Sequence, residues 1–162
     1  MEITVCGPGD VELLDRHIGS PGTLSFHARR FARQERGEST YLVAWLGRRP
    51  VGHAEVRWNG CEAAEVTVRC PEINALGVRP EELRSRGIGT ALIRAAEDLV
   101  ARRGIATVGI GVGKDNPRAA ALYARLGYEP LVAYHDRWSY EGDDGQPHES
   151  VDACVFLTRD VC

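Results

Sequence analysis

The sequence predicts an α/β domain of the α+β kind, in which a mixed, mostly antiparallel central sheet of about six to seven strands is flanked by about four helices. Three observations carry this expectation. Tyr41–Leu46 and Val51–Trp58 are apolar, β-prone runs joined by the turn Gly47-Arg48-Arg49-Pro50, which makes an antiparallel hairpin before any long helix. Gly87-Ile88-Gly89-Thr90 then opens a helix whose Ala91, Leu92, Ala95, Ala96, Leu99 and Val100 recur at helical spacing. After Gly104 comes a buried-type strand, Ile105 to Val112, followed by a further helix and two closing strands.

The remaining elements follow in order. Met1 to Cys6 forms a first strand that Gly7-Pro8-Gly9-Asp10 ends, with Asp10 placed to cap a short helix bearing Val11, Leu13 and Leu14. Gly19-Ser20-Pro21-Gly22 breaks that helix, and a second runs from Leu24 to about Arg36 with a thin apolar stripe of Phe26, Ala28, Phe31 and Ala32. Beyond the hairpin, Asn59-Gly60 turns the chain into a weaker strand-like stretch, Ala64 to Arg69, and then into the strand Glu72–Val78. Asn116-Pro117 starts the last helix, Arg118 to Leu126, and Gly127 stops it. Tyr128–Ala133 and Val151–Leu157 read as strands joined by a polar segment containing Glu141-Gly142-Asp143-Asp144-Gly145. With 162 residues, no repeats and no break in composition, one domain over residues 1–162 is expected.

Composition narrows the function classes. A net charge of -3 without a basic stripe leaves no surface for neutralising phosphates, so nucleic acid is not an expected partner. Lys114 is the only lysine, a bias with no chemical reading. Cys6, Cys61, Cys70, Cys154 and Cys162 show no metal-ligand spacing, which predicts reduced thiols and no metal, with a Cys61–Cys70 pair as the alternative. No apolar run is long enough to span a bilayer, and the N-terminal segment lacks the pattern of a signal peptide. A cytoplasmic location away from membranes is expected.

The strongest chemical signal is Arg84-Ser85-Arg86-Gly87-Ile88-Gly89-Thr90, set between a strand and an amphipathic helix. Glycines let backbone N–H groups turn toward an anion, the helix adds the positive end of its dipole, and Arg84 and Arg86 supply charge at the rim. That is a pyrophosphate cradle. A Walker loop fails because no Gly-Lys-Ser/Thr follows. A dinucleotide fingerprint fails because Leu92 stands at its third glycine and an antiparallel run precedes it. A kinase glycine loop fails for want of the downstream Asp and metal ligands.

The residues that remain to be explained resemble the GNAT superfamily of N-acetyltransferases. Its signature Arg/Gln-x-x-Gly-x-Gly/Ala is matched by Arg84, Gly87 and Gly89. Asn116 through Ala119, Tyr123, Gly127 and Tyr128 follow the family's Asn-x-x-Ala-x-x-x-Tyr-x-x-x-Gly-Phe/Tyr pattern. One departure is that the connection between Pro80 and Arg84 is about one residue longer than the pattern has it. The order of strands and helices also fits along essentially the whole chain. The resemblance implies a GNAT fold in which a splayed strand pair holds acyl-CoA, with acetyl-CoA as cosubstrate, an amine as acceptor and no metal.

Site residues follow from the same resemblance. Leu76, Gly77 and Val78 run along the acyl-CoA, with backbone N–H groups near Leu76 or Gly77 directed at the thioester oxygen. Gly77 permits a bulge that parts Glu72–Val78 from Ile105–Val112. The loop Arg84, Ser85, Arg86, Gly87, Ile88, Gly89 and Thr90 binds the pyrophosphate, and Asn116 either caps its helix or also meets the CoA arm. Tyr123 is the acid for the leaving thiolate, or else core filling. Glu72 is the leading base, or else a surface carboxylate at a strand start, with His53 and Glu65 in reserve.

An acceptor pocket is expected from Pro21–Arg36, the middle strands and the loop His135–His148. There Asp136, Glu141, Asp143 and Asp144 either favour a cationic amine or form a solvated turn, and Trp45, Trp58 and Trp138 either wall a pocket or join the core. Small-molecule N-acetylation by direct attack in a ternary complex is the expected activity, with protein N-terminal or lysine acetylation and a non-catalytic acyl-CoA sensor as alternatives. The family also implies a homodimer, with Val151–Leu157 offering the edge strand.

Overall fold

The computed structural model describes residues 1–20 and 24–161, with the Glu141 side chain outside that description. The predicted break at Pro21-Gly22 and the fifth cysteine, Cys162, lie outside it. The chain runs β1 (Glu2–Val5), α1 (Asp10–His17), α2 (Phe26–Glu35), β2 (Ser39–Leu46), β3 (Arg49–Arg57), β4 (Glu72–Val78), α3 (Ile88–Arg102), β5 (Thr107–Gly113), α4 (Pro117–Arg125), β6 (Glu129–Glu141) and β7 (Pro147–Asp160). One seven-stranded sheet has the order β1-β2-β3-β4-β5-β7-β6. Every neighbouring pair is antiparallel except β4 with β5.

Alternation along the strands splits the sheet into two faces. Ala54, Val56, Ile73, Val108 and Ile110 pack under Ile88, Leu92, Ile93, Ala96 and Val100 of α3 and under Tyr123 of α4. The opposite face carries Tyr41 and Val43, covered by Leu14 and Ile18 from the α1 region. On this second face, where Glu55 stands opposite Tyr41, an ion pair fixes α2. The Arg33 guanidinium grips the Glu55 carboxylate through Nε at 2.8 Å and a second nitrogen at 2.9 Å, and Glu55 is 1% exposed. Ser25 caps α2 by accepting from the Ala28 N–H, and Gly127, at φ 95°, ends α4 where an L side chain would be strained.

The structure corrects several expectations. The stretch 59–71 forms no strand, because its apolar residues Val66 and Cys70 pack side-on against Tyr134, Cys154 and Phe156 instead of entering the ladder. The segment His135–His148 is no loop; β6 and β7 pair from Glu129↔Thr158 to Glu141↔Pro147, leaving only a short turn at the tip. The terminal strand β7 lies between β5 and β6, so Val151–Leu157 is not an edge. Asp10 accepts from the Gly7 N–H and does not cap α1. Cys6, Cys61, Cys70 and Cys154 are free thiols, which removes the Cys61–Cys70 pair. Among the described residues no helix is long and apolar enough to cross a membrane.

The glycines of β5 have a packing reason. Side chains at Gly109 and Gly111 would run into the Phe156 ring and the Tyr134 hydroxyl. Phe156 is fully buried and cannot give way. Gly109→Ala is therefore expected to destabilise the fold by about 1–3 kcal/mol through overpacking, read as a lower urea midpoint with an unchanged slope.

Candidate active site

The site begins where β4 leaves β5. The two strands share only the pairs Glu72↔Gly109 and Ile73↔Ile110 before they diverge. On its other side β4 stays with β3, but the register shifts between Glu55↔Asn74 and His53↔Gly77, so that Ala75 and Leu76 stand together opposite Ala54. The bulge is made by Ala75, which has φ 54°, and not by Gly77 as the sequence suggested. Gly77 is required for another reason. A Cβ there would sit 2.8 Å from the His53 ring.

Past Ile73, the backbone edge of β4 that faces β5 has no strand partner and borders a cleft of about 650 Å³. The cleft runs from this edge, through Leu76, Gly77 and Val78, to Arg84, Ser85, Gly87, Gly89 and Thr90, with Asn116 and Tyr123 on its α4 wall. Ser85 (φ 64°) and Gly87 (φ 86°) both take left-handed conformations in front of α3, and no side chain caps that helix. Such a turn exposes backbone N–H groups at the positive end of the helix dipole, a fit for an anionic diphosphate. Arg118, to which the sequence motif assigns no role, reaches across from α4 and donates to the Ser85 hydroxyl. Unpaired strand groups beside this nest match what an amide-bearing arm followed by a diphosphate would need.

Two loop residues stand apart. Ile88 is buried in the core against α3's own neighbours, so only its backbone can face the cleft. Arg86 is exposed and does not line it. Asn116 caps α4 by accepting from the Ala119 N–H at 3.2 Å, while lining the cleft as well.

Tyr123 is 6% exposed, and its hydroxyl has no hydrogen-bond partner among the described residues. Burial pushes its phenol up to about 12, so it stays protonated near neutrality. It also lines a second cavity of about 330 Å³ on the other side of the fork, together with Glu72 and Asn74. Glu72 is not a surface carboxylate. It is 5% exposed, and burial raises its carboxyl above the usual range, although the Asn74 amide donates to it at 3.2 Å.

The reserve bases fare differently. His53 is pushed down to about 3, chiefly by burial and then by Arg30, and its Nδ1 lies 2.6 Å from the Ala75 carbonyl oxygen. Glu65 is exposed and occupied by the His135 backbone N–H and ring, both at 3.0 Å. Among the tryptophans, Trp45 and Trp58 donate to Thr4 and Thr40, Trp138 donates to Asp152, and none lines either cavity. Asp136 does line the smaller cavity, whereas Asp143 and Asp144 lie in the hairpin turn.

From the first helices come Phe26, His27 and Arg30, which close the larger cleft. His27 is held between the Tyr41 hydroxyl at 2.6 Å and the Ile18 carbonyl at 2.5 Å. Missed in the sequence were Asp115, Tyr134, Asp152 and Cys154 of the smaller cavity. The spacing of Tyr134 with Asp136, and of Asp152 with Cys154, signals a shared strand face once β6 and β7 are known to extend so far.

The chain matches the acetyltransferase (GNAT) family over residues 12–128. It is 37% identical over 98 residues to an uncharacterised N-acetyltransferase of Methanocaldococcus jannaschii, a match covering 59% of this chain and 41% of that protein. The chain therefore spans less than half the length of that relative. Among solved structures, it resembles the ribosomal-protein-S18-alanine N-acetyltransferase from Escherichia coli, with a TM-score of 0.68 at 18% identity over 99% of this chain and 93% of that one. An acetyltransferase of Bacillus subtilis in complex with CoA gives a TM-score of 0.62 at 18% identity, covering 98% and 97% of the two chains.

The His53 environment is open to direct measurement. Because its pKa is lowered, the ring stays neutral where an ordinary histidine takes up a proton. Its NMR ring resonances are expected not to move between about pH 8 and about pH 5.

Proposed function

The chain belongs to the acetyltransferase (GNAT) family, and on that premise we propose that it transfers an acetyl group from acetyl-CoA to the amine of a small molecule, with both bound at once. The observation that carries this reading is the position of Tyr123. It is buried at the junction of the loop-to-fork cleft and the smaller cavity holding Glu72. A donor and an acceptor could thus approach the same point from two sides.

In this reading the first turn of α3, with Arg84 and Arg118, holds the diphosphate, and the unpaired β4 edge at Leu76–Val78 holds the amide-bearing arm. Bound acetyl-CoA supplies the acetyl group as an activated thioester. The acceptor nitrogen bonds to the acetyl carbon as the carbon–sulfur bond breaks. Glu72 takes the proton that the nitrogen loses, and Tyr123 gives a proton to the departing sulfur, so the products are the amide and the free thiol. Backbone N–H groups near Leu76 or Gly77 steady the carbonyl oxygen as it gains charge. The raised carboxyl of Glu72 suits a base working near neutral pH, and the phenol at about 12 suits an acid that must be protonated at rest. A cavity of about 330 Å³ on the acceptor side fits a small molecule.

The test is release of free thiol from acetyl-CoA in the presence of amines, with acetyl-CoA binding followed separately by calorimetry. Tyr123→Phe keeps the ring and deletes the acid. Turnover is expected to fall about 10²–10⁴-fold with little change in acetyl-CoA affinity; unchanged turnover would remove this role.

The pH dependence has a definite sign. Glu72 must be ionised to accept a proton, so kcat/KM is expected to rise with pH along a limb displaced above the ordinary carboxylate value of about 4.3. Glu72→Gln should lower the rate and abolish the limb. A profile whose limb survives this substitution would assign it to another group.

A further inference from the structure

The smaller cavity carries a charge pattern that the transfer reaction alone does not require. Glu72, Asp115, Asp136 and Asp152 line it, and no lysine, arginine or histidine does. Asp136 and Asp152 stand directly opposite each other in the β6–β7 ladder, where like charges weaken a strand pair. Neither forms an ion pair among the described residues. The Asp152 carboxylate accepts from the Trp138 indole at 2.7 Å, and Asp136 has no side-chain hydrogen bond. Partial burial and the neighbouring Asp152 raise the Asp136 carboxyl, which is what an unrelieved like-charge contact does. Arg57 is felt by both Glu72 and Asp136, yet it does not line the cavity or pair with either.

Two residues of the same cavity also have hydrogen-bonding capacity to spare. Glu72, 5% exposed, receives one side-chain hydrogen bond, and Tyr123, 6% exposed, makes none through its hydroxyl among the described residues. A metal ion does not answer this arrangement, because among the described residues no three acidic, histidine or cysteine side chains converge as metal ligands. A ligand bringing both N–H donors and positive charge does.

We propose that the acceptor is a dicationic aliphatic amine, whose one nitrogen reacts between Glu72 and Tyr123 while a second, still protonated, is held between Asp136 and Asp152. This rests on the acetyl-transfer reading. Glu72 and Asp136 line one cavity of about 330 Å³, and the Asp136 charge is felt at Glu72. An α,ω-diamine of about three to six carbons is a molecule of the size such a cavity takes. Asp136 and Asp152 are positioning residues here, since they bind the end of the molecule that does not react.

The experiment compares 1,4-diaminobutane with n-butylamine in the thiol-release assay at saturating acetyl-CoA, extends the diamines from three to six carbons, and repeats both in Asp136→Asn/Asp152→Asn. Relief of the like-charge pair should leave that variant folded, which circular dichroism checks. The native protein is expected to favour the best diamine over the monoamine of equal length by about 10–100-fold in kcat/KM, mainly through KM. In the double variant that ratio should collapse toward one. Equal rates for the two amines, or a preference that survives the double substitution, would overturn the proposal. So would acetyl-CoA binding with no turnover of any diamine, and that result would leave the acyl-donor assignment standing. Failure to bind acetyl-CoA would instead overturn the proposed function itself.

Discussion

The parting of β4 from β5 is the constraint on which the rest of the structure depends. A parallel pair interior to a sheet ordinarily continues, because each strand otherwise leaves backbone groups without partners. Here the pairing stops after Ile73↔Ile110. Each strand is held elsewhere: β4 stays with β3 through the bulge at Ala75, and β5 is paired with β7 along its whole length from Thr107 to Gly113. The fork is therefore rigid on both arms. Its open edge is a supply of oriented amide groups, and the turn before α3 lies at its mouth.

What fills each side of the fork differs in charge. Arg30, Arg79, Arg84, Arg118 and Arg125 line the larger cleft, whereas the smaller cavity is lined by carboxylates and by no basic side chain. The two meet at Tyr123. An anionic donor and a cationic acceptor would each be drawn to its own side, and each would be discouraged from the other's, without any moving part. Buried Glu72 is the exception to this electrostatic tidiness. Its raised carboxyl follows from being taken out of water with a single amide for company.

Much of this was legible in the sequence. Arg84, Gly87, Gly89, Asn116 and Tyr123, which line one cleft, were picked out by two short motifs and the family resemblance that those motifs carry. Strand periodicity likewise anticipated the β2–β3 hairpin, and the resemblance added a mostly antiparallel sheet of six to seven strands, of which the structure has seven. The errors were of another kind. Gly77 was chosen for the bulge on propensity, yet Ala75 adopts the left-handed angle, and what Gly77 supplies is clearance for a ring from the neighbouring strand. The stretch Ala64 to Arg69, with Val66, read only weakly because apolar residues in a short run do not reveal whether they meet a ladder or the side of one. The reach of β6 and β7 was hidden by their polar composition, so Asp152 and Tyr134 were not seen as neighbours of the site. Cross-strand register and ring packing are non-local properties, and one chain read in order does not display them.

The β6–β7 hairpin divides into two lengths. From Cys154 to Asp160, β7 is shared with β5 and carries Phe156 into the core. From Asp152 outward, its ladder is with β6 alone. Asp136 and Asp152 of the smaller cavity thus sit on a cantilever whose sequence no third strand dictates. Substitutions there answer to few neighbours, so selectivity for the incoming molecule can drift over generations while the machinery that grips the acyl carrier remains fixed in the foundation beneath it.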